Sequence, residues 1–260
     1  MDGTARRGDG RATAVIFDID GTIMRPGCGL QRLHMGTMAD AIEREAGVAA
    51  AFEYVGGDLF VRGHNLSGFT DAGTIDLILD RGGVPAARRP GLRKRIVATM
   101  CRRMTGAAEG LDARGDVLPG VARLVADLRR HGVIIGLSTG NARAVAGCKM
   151  LAAGLGGLEA GGGFGDRHLL RADIARDAVT SVRGLARAGS LALSRADIVL
   201  IGDTPSDVLA ARAAGVRSLA VSTGAASADR LRDAGPGGCV ASLADVTVED
   251  LFGTRVASPL

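Results

Sequence analysis

The chain has 260 residues, 47% of them apolar, and a formal net charge of +4. This length and apolar fraction suit one large globular domain or two modest ones, and no uncharged stretch of about 18 residues indicates a membrane span. The basic residues are dispersed, and one Tyr, six Phe and no Trp provide few surfaces on which bases could stack. We therefore expect neither a nucleic-acid partner nor a membrane partner.

The N-terminal segment and the cysteines both indicate a cytoplasmic protein. Residues 1–12 are polar and basic, without the apolar segment of a cleaved signal, and we expect them to form a disordered tail. The cysteines show no CxxC pair and no metal-like spacing, which is typical of reduced thiols. We expect a monomer or homodimer in the cytoplasm. The four cysteines are Cys28, Cys101, Cys148 and Cys239.

Short apolar runs rich in β-branched residues and bounded by Gly, Asp or Ser predict the strands. Their continuous apolar character is typical of a sheet that is covered on both faces. In chain order they are Thr13–Phe17, Val133–Leu137, Asp197–Ile201 and Ser218–Val221, with Cys239–Val240 as a candidate fifth.

Helical patterns lie between the later strands. Strands that alternate with helices indicate crossover connections and a parallel sheet. We therefore predict an α/β fold with a Rossmann-like parallel sheet core. The helices are predicted over Val121–Arg130, Ala142–Ala153, Ala172–Ala188 and Ser206–Ala214.

The first two predicted strands are separated by far more chain than a simple crossover of a few dozen residues needs. We predict a helical cap domain over residues 27–116, inserted after the first strand, and a catalytic core over residues 13–26 and 117–260. A glycine-rich piece, Val55–Asp71, lies within the insert, and Gly154–Gly165 is predicted to be a loop of the core. The helical patterns of the insert are Gln31–Ala46, Ala72–Leu79 and Leu92–Met104.

Polar segments follow three of the predicted strands. They read DIDGT over residues 18–22, STGN over residues 138–141 and GDTPSD over residues 202–207. In an open α/β sheet, ligands bind outside the carboxyl ends of the strands. The fold would therefore bring acids, hydroxyl groups and backbone amides to one edge, where they form a site for a phosphate and a hard metal ion.

The residue types predict specific chemistry at this edge. Asp18 could attack phosphorus and form an aspartyl-phosphate, and Asp20 could protonate the leaving alcohol and then activate water. Because Mg²⁺ prefers oxygen ligands, Asp18, the backbone carbonyl of Ile19 or Asp20, and Asp203 are candidate ligands. Thr139 begins a segment whose free N–H groups suit phosphate oxygens.

These three motifs, in this order and with an insert after the first, resemble the haloacid dehalogenase superfamily of hydrolases, particularly its phosphoglycolate-phosphatase-like members. The resemblance implies a Mg²⁺-dependent phosphatase whose helical cap, of the C1 type, closes over the substrate. It implies that Asp18 is the nucleophile, Asp20 the acid and base, and Thr139 a phosphate ligand. It adds Asp207 beside Asp203 on the metal side, so the predicted metal site comprises Asp18, Asp20, Asp203 and Asp207.

The catalytic cation is harder to assign. Many relatives carry a lysine shortly before the last acidic motif, but no lysine lies between Gly154 and Gly202 here. Lys149 follows STGN in a spacing that resembles one subgroup, and it is one of only two lysines among 32 basic residues. We predict that Lys149 is catalytic, with Arg171 as an assisting or substituting cation.

The remaining predicted substrate contacts involve both parts of the chain. Gly140 and Asn141 are expected to bind phosphate together with Thr139 and Arg171. Arg25 follows the first motif, and Thr70 belongs to a GFTD loop that resembles the loop with which relatives select substrates. We assign no role to the histidines, because His34, His64, His131 and His168 lack any ligand spacing.

Three functions are compatible with these motifs. The first is hydrolysis of a small phosphorylated metabolite, such as a phosphoglycolate-like or sugar-phosphate-like compound. The second is a sugar phosphomutase, which shares Asp18 and Asp20. The third is a non-enzymatic phosphoacceptor or phosphate sensor, although such proteins lack a large insert and do not need Asp20.

Overall fold

The computed structural model describes residues 10–56 and 58–253. Its core is a six-stranded sheet with the order β6-β5-β1-β7-β8-β9, in which every neighbouring pair is parallel. The predicted α/β class and parallel sheet are thereby confirmed. The strands are β1 (Ala14–Phe17), β5 (Ile134–Thr139), β6 (Gly162–Phe164), β7 (Ile198–Gly202), β8 (Arg217–Val221) and β9 (Gly238–Val240).

The central strand β1 explains why the sheet is covered on both faces. All four of its residues are buried, and Ala14 pairs with Ile134 of β5 on one side and Ile198 of β7 on the other. Successive side chains of a strand point to opposite faces. Val15 and Phe17 accordingly join one hydrophobic cluster, while Ala14 and Ile16 join another.

Helices of the core connect the strands and cover the sheet. α6 packs against β5 and β6, and α7 packs against α6 and β8. Helix α4 has the predicted bounds, α5, α6 and α7 agree with theirs within a few residues, and α8 and α9 were not predicted. The core helices are α4 (Val121–Arg130), α5 (Arg143–Ala152), α6 (Arg171–Ala188), α7 (Pro205–Ala214), α8 (Ala228–Asp233) and α9 (Val248–Phe252).

The insert comprises the elements between β1 and α4. The chain leaves and re-enters the core along neighbouring segments, which a backbone bridge joins between Met24 and Val117. Its helices are those predicted from the sequence, and α1 packs along α3. They are α1 (Gly29–Ala46), α2 (Asp71–Arg81) and α3 (Arg89–Ala108).

The sequence did not predict every element of the insert. The insert also contains a three-stranded antiparallel sheet, in which β2 pairs with β3 and β3 with β4. Its short strands lie in a region rich in glycine, and the turn between β3 and β4 holds Arg62 and Gly63 at positive φ. The strands are β2 (Phe52–Val55), β3 (Asp58–Val61) and β4 (His64–Asn65).

The predicted loop over Gly154–Gly165 contains the edge strand β6, so that prediction is wrong for its last part. Gly162 and Gly163 supply two of the three residues of β6 and carry no side-chain signal for a strand. Gly162 is needed because Leu137 of β5 lies close to it, and Gly163 because α6 packs close to this strand. A Cβ atom on Gly163 would collide with the carbonyl of Ile174.

The N-terminal prediction also needs correction. Ala192 donates a backbone hydrogen bond to Gly10 and accepts one from Ala12, so residues 10–12 are not a disordered tail. The rest of that predicted tail, residues 1–9, lies outside the described part of the chain. Of the described helices, none has both the length and the hydropathy that crossing a membrane requires. All four cysteines are free thiols.

Candidate active site

The carboxyl ends of β1, β5 and β7 meet at one edge of the sheet, beneath the insert. They face a cavity of about 120 Å³. Its core side is lined by Asp18, Asp20, Thr139, Gly140, Asn141 and Arg171, together with Asp203 and Asp207. Eight of the eleven site residues predicted from the sequence therefore line one cavity.

Three of these acids form a cluster. Carboxylate oxygens of Asp18, Asp203 and Asp207 lie within 4.8 Å of one another, and all three residues are buried. Thr22 donates a hydrogen bond of 3.0 Å to Asp203 Oδ1. Gly21, at φ 94°, and Gly224 make room for this carboxylate, because a Cβ atom on either would collide with it.

Ionising all three carboxylates of the cluster is unfavourable without a cation, because the charges are buried and repel one another. Burial raises the pKa of Asp18 to about 7; Arg171 opposes this shift, while Asp207 and Asp20 reinforce it. Burial, reinforced by Asp18 and Asp207, also raises the pKa of Asp203 well above its usual value. Mg²⁺ fits this donor set, since it prefers carboxylate oxygens and its charge relieves such repulsion.

Arg171 supplies a positive charge at this cluster. From the first residue of α6, its Nη2 donates to Asp18 Oδ1 at 3.1 Å, to Asp207 Oδ1, and to the Ser138 carbonyl at 3.4 Å. Burial opposes its charge, but Asp207 and Asp18 outweigh burial and raise the pKa of Arg171. The buried Nε atom of Arg171 has no partner among the described residues.

Asp207 is oriented by the start of α7. Its Oδ2 accepts hydrogen bonds from Thr204 N at 3.1 Å and from Thr204 Oγ1 at 2.6 Å, and Asp207 N donates to Thr204 Oγ1. This reciprocal arrangement is a capping box. It leaves Asp207 Oδ1 for Arg171 and the acidic cluster.

Lys149 contacts Asp20 and not Asp18. Its fully buried side chain reaches from α5, and Nζ lies 2.7 Å from both Asp20 oxygens and 2.8 Å from Asn141 Oδ1. Burial acts to raise the pKa of Asp20, but Lys149 and then Asn141 outweigh it, and the pKa is lowered. The cation nearest the predicted nucleophile is therefore Arg171.

The carboxylate of Asp20 does not belong to the acidic cluster, and the metal contact predicted at this position was a backbone carbonyl, that of Ile19 or Asp20. Lys149 binds both of its oxygens, and Asn141 Nδ2 donates to Oδ2 at 2.8 Å. These side-chain hydrogen bonds do not involve the backbone carbonyls of Ile19 and Asp20, so the predicted metal contact through one of them stays a prediction.

The STGN turn is more constrained than its sequence indicates. Thr139 Oγ1 accepts hydrogen bonds from Asn141 Nδ2 at 2.7 Å and Asn141 N at 3.2 Å. The N–H group of Ala142 donates to Asp71 Oδ2 of the insert at 2.7 Å. These two amides are thus already engaged, so a phosphate at this turn would rely on other donors.

Two predicted substrate residues do not line the cavity. Arg25 is exposed and donates to the Gly115 carbonyl at 3.3 Å. Thr70 is buried, but its hydroxyl accepts from Gly73 N as the cap of α2 and donates to the His168 carbonyl at 2.7 Å. Neither prediction is supported by where the side chain lies.

Among the cavity residues that sequence reasoning did not predict is a buried polar pair, His34 and Asp71. His34 Nε2 lies 3.1 Å from Asp71 Oδ2, and both residues are buried. Asp71 belongs to the GFTD loop, in which Thr70 and not Asp71 was the predicted substrate contact. His34 gave no distinct signal, because a histidine on the buried face of an amphipathic helix resembles an ordinary core residue.

The strand ends, the acidic cluster and the insert together form a Rossmann-like core with a segment placed over its site. A family model of haloacid dehalogenase-like hydrolases matches residues 12–215. The chain therefore belongs to the haloacid dehalogenase-like hydrolase family. A search of curated protein sequences found no significant match.

Solved structures share this fold. One is β-phosphoglucomutase from Clostridium difficile, with a TM-score of 0.62 and 17% identity, covering 92% of this chain and 94% of that one. Another is CbbY from Rhodobacter sphaeroides in complex with xylulose-(1,5)bisphosphate, with a TM-score of 0.62 and 17% identity, covering 92% of this chain and 99% of that one. At these identities, the similarity establishes the fold alone.

We expect Lys149→Met to lower the free energy of unfolding by about 3–5 kcal/mol, because it leaves the Asp20 carboxylate without its buried partner. Adding Asp20→Asn should recover part of that loss, since it removes the unpaired charge. Urea unfolding of the two single variants and the double variant measures this coupling. Lys94→Met, at the exposed second lysine, is the control and should change stability by less than about 0.5 kcal/mol. Strictly additive losses at Lys149 and Asp20 would contradict the assignment.

Proposed function

We propose that this protein is a Mg²⁺-dependent phosphatase that hydrolyses a small phosphorylated metabolite through an aspartyl-phosphate on Asp18. The observation that carries the proposal is the position of Asp18. It lies in a cavity with a buried arginine 3.1 Å from its carboxylate, two further acids on one side, and a second carboxylate, Asp20, two residues away.

Arg171 is the proposed phosphate ligand. Arg171 lines the cavity, and its buried Nε has no partner among the described residues. Guanidinium groups bind phosphate oxygens with strong, charge-assisted hydrogen bonds. Because Nη2 also contacts Asp18, the same side chain would align the phosphoryl group with the nucleophile. Arg171 takes the role that we first predicted for Lys149.

In the first step, an oxygen of Asp18 attacks phosphorus and the ester P–O bond breaks. The leaving alkoxide takes a proton from the Asp20 carboxyl group. In the second step, the Asp20 carboxylate takes a proton from the water that attacks phosphorus, phosphate leaves, and the Asp18 carboxylate is restored.

Lys149 is the proposed positioning residue for Asp20. Its two contacts of 2.7 Å favour the ionised carboxylate, which is the form that activates water in the second step. Protonation of the leaving group is then the more demanding task of Asp20. We therefore expect phosphate esters with good leaving groups, such as 4-nitrophenyl phosphate, to be hydrolysed faster than alkyl phosphates.

Asp18, Asp203 and Asp207 would hold the Mg²⁺ ion. A bound Mg²⁺ would offset the carboxylate charges and stabilise the negative charge of the transferring phosphoryl group. The raised pKa values of Asp18 and Asp203 support a cation here.

A sugar phosphomutase is the second candidate. It is favoured by the similarity of the fold to β-phosphoglucomutase, but the cavity wall discussed below argues against it. A protein that stays phosphorylated for a long time fits this site less well, because Asp20, positioned by Lys149, would activate water for rapid hydrolysis of the aspartyl-phosphate.

We expect Asp18→Asn to abolish phosphate release from 4-nitrophenyl phosphate in Mg²⁺ while the variant keeps a cooperative thermal unfolding transition, since an amide has nearly the same shape but is a poor nucleophile. Asp229→Asn is the matched control, because Asp229 is exposed and its ion-pair partner among the described residues is Arg232. Phosphate release by Asp18→Asn at the rate of this control would refute the mechanism.

Mg²⁺ should raise the thermal midpoint, by an amount that corresponds to about 2.7 kcal/mol at a hundredfold excess over the dissociation constant. Asp203→Asn should reduce this shift, and without Mg²⁺ it should raise the midpoint because it removes one of the repelling charges. Differential scanning fluorimetry with and without chelator measures both effects. An equal Mg²⁺ shift in Asp203→Asn and in Asp229→Asn would place the ion elsewhere.

A further inference from the structure

The insert provides the wall of the cavity opposite the strand ends. The core side of the cavity includes a cationic side chain, that of Arg171, whereas the insert side includes none among the described residues. The wall from the insert includes Gln31, His34, Met35, Leu59, Asp71 and Thr74. None of the described residues that the insert contributes to the lining is a lysine or arginine. Arg171 is the only such residue around the cavity within the described chain, and it is engaged with Asp18 and Asp207.

His34 is held in one orientation by Asp71. Asp71 Oδ2 also accepts the N–H group of Ala142 at 2.7 Å, so this oxygen acts as an acceptor and the proton of the 3.1 Å contact belongs to His34 Nε2. The contact therefore leaves Nδ1 as the remaining polar atom of the ring.

Nδ1 of His34 lacks a partner. Only three buried side-chain polar atoms of the described residues have none, and two of them, His34 Nδ1 and Arg171 Nε, belong to residues lining this cavity. Leaving a buried polar atom unpaired costs free energy. A substrate that reached both atoms would remove that cost at its two ends.

We propose that His34, positioned by Asp71, selects substrates with a neutral hydroxyl group on the leaving alcohol, so that the substrate class is a singly phosphorylated sugar or polyol. This inference rests on the proposed phosphatase function and specifies its substrate. A hydroxyl group can donate to Nδ1 when the ring is neutral and accept from it when the ring is protonated.

The same wall disfavours a second anionic group. With Asp71 ionised, the pair of His34 and Asp71 carries no net positive charge in either state of the ring, and a desolvated carboxylate or phosphate without a cationic partner is unfavourable. Phosphoglycolate-like acids and sugar bisphosphates are therefore poor substrates. A phosphomutase working through a bisphosphate would need a cation on this wall.

The test compares kcat/KM for a matched three-carbon series: glycerol 3-phosphate, propyl phosphate and 3-phosphoglycerate. We expect the unchanged protein to prefer glycerol 3-phosphate over each of the others by about tenfold or more, because a site built to bond a hydroxyl group rejects analogues that lack it. Turnover of 4-nitrophenyl phosphate is measured in parallel as the test of the phosphatase function itself.

The variant His34→Gln isolates Nδ1. Its amide N–H can replace the Nε2 donor to Asp71, but it provides no atom in the place of Nδ1. The preference for glycerol 3-phosphate over propyl phosphate should fall about tenfold, with the thermal midpoint confirming that the variant is folded. His64→Gln is the control and should keep the preference, because His34 is the only histidine among the described residues lining the cavity.

Two results would overturn the inference while the phosphatase function stands. One is turnover of 4-nitrophenyl phosphate without any preference for glycerol 3-phosphate, and the other is an unchanged preference in folded His34→Gln. If none of the four esters is hydrolysed, the phosphatase function and this inference are overturned together.

Discussion

The gathering of buried carboxylates at the ends of β1 and β7 is the constraint on which the rest of the site depends. Carboxylate oxygens of Asp18, Asp203 and Asp207 lie within 4.8 Å of one another, and like charges in a desolvated site repel strongly. Neighbouring groups offset this repulsion. Arg171 bridges two of the acids, Thr22 donates to the third, and the proposed Mg²⁺ would supply the remaining charge.

Two cations with different geometries contact the two aspartates that we propose as catalytic. Lys149 is a compact ammonium that contacts both oxygens of Asp20, whereas the planar guanidinium of Arg171 spans Asp18 and Asp207 and leaves Nε free. Lysine and arginine are not interchangeable in such settings. In a chain with only two lysines, this contact explains why an ammonium occupies position 149.

The sequence predicted those features that depend on local pattern and topology. Apolar runs located the core strands, and the rule that parallel strands end at one edge brought the three motifs together. Features that depend on close approach or side-chain direction were not predictable. Strand β6 consists largely of glycine, Thr70 turns its hydroxyl to the start of α2, and the partner of Lys149 is set by how α5 packs. His34 is recognised as a site residue only in the structure, where it lines the cavity and its Nδ1 has no partner among the described residues.

The central claim, that Asp18 carries the phosphoryl group while Asp20 completes its hydrolysis, can be tested by trapping the intermediate. Asp20→Asn should slow hydrolysis of the aspartyl-phosphate, since it removes the base that activates water, while 4-nitrophenyl phosphate still phosphorylates Asp18 because its leaving group needs little protonation. Acid quenching of a single turnover, followed by peptide mass spectrometry, should then find the phosphoryl group on the peptide that contains Asp18. A phosphoryl group on any other residue, or a completed turnover without an adduct on Asp18, would contradict the account.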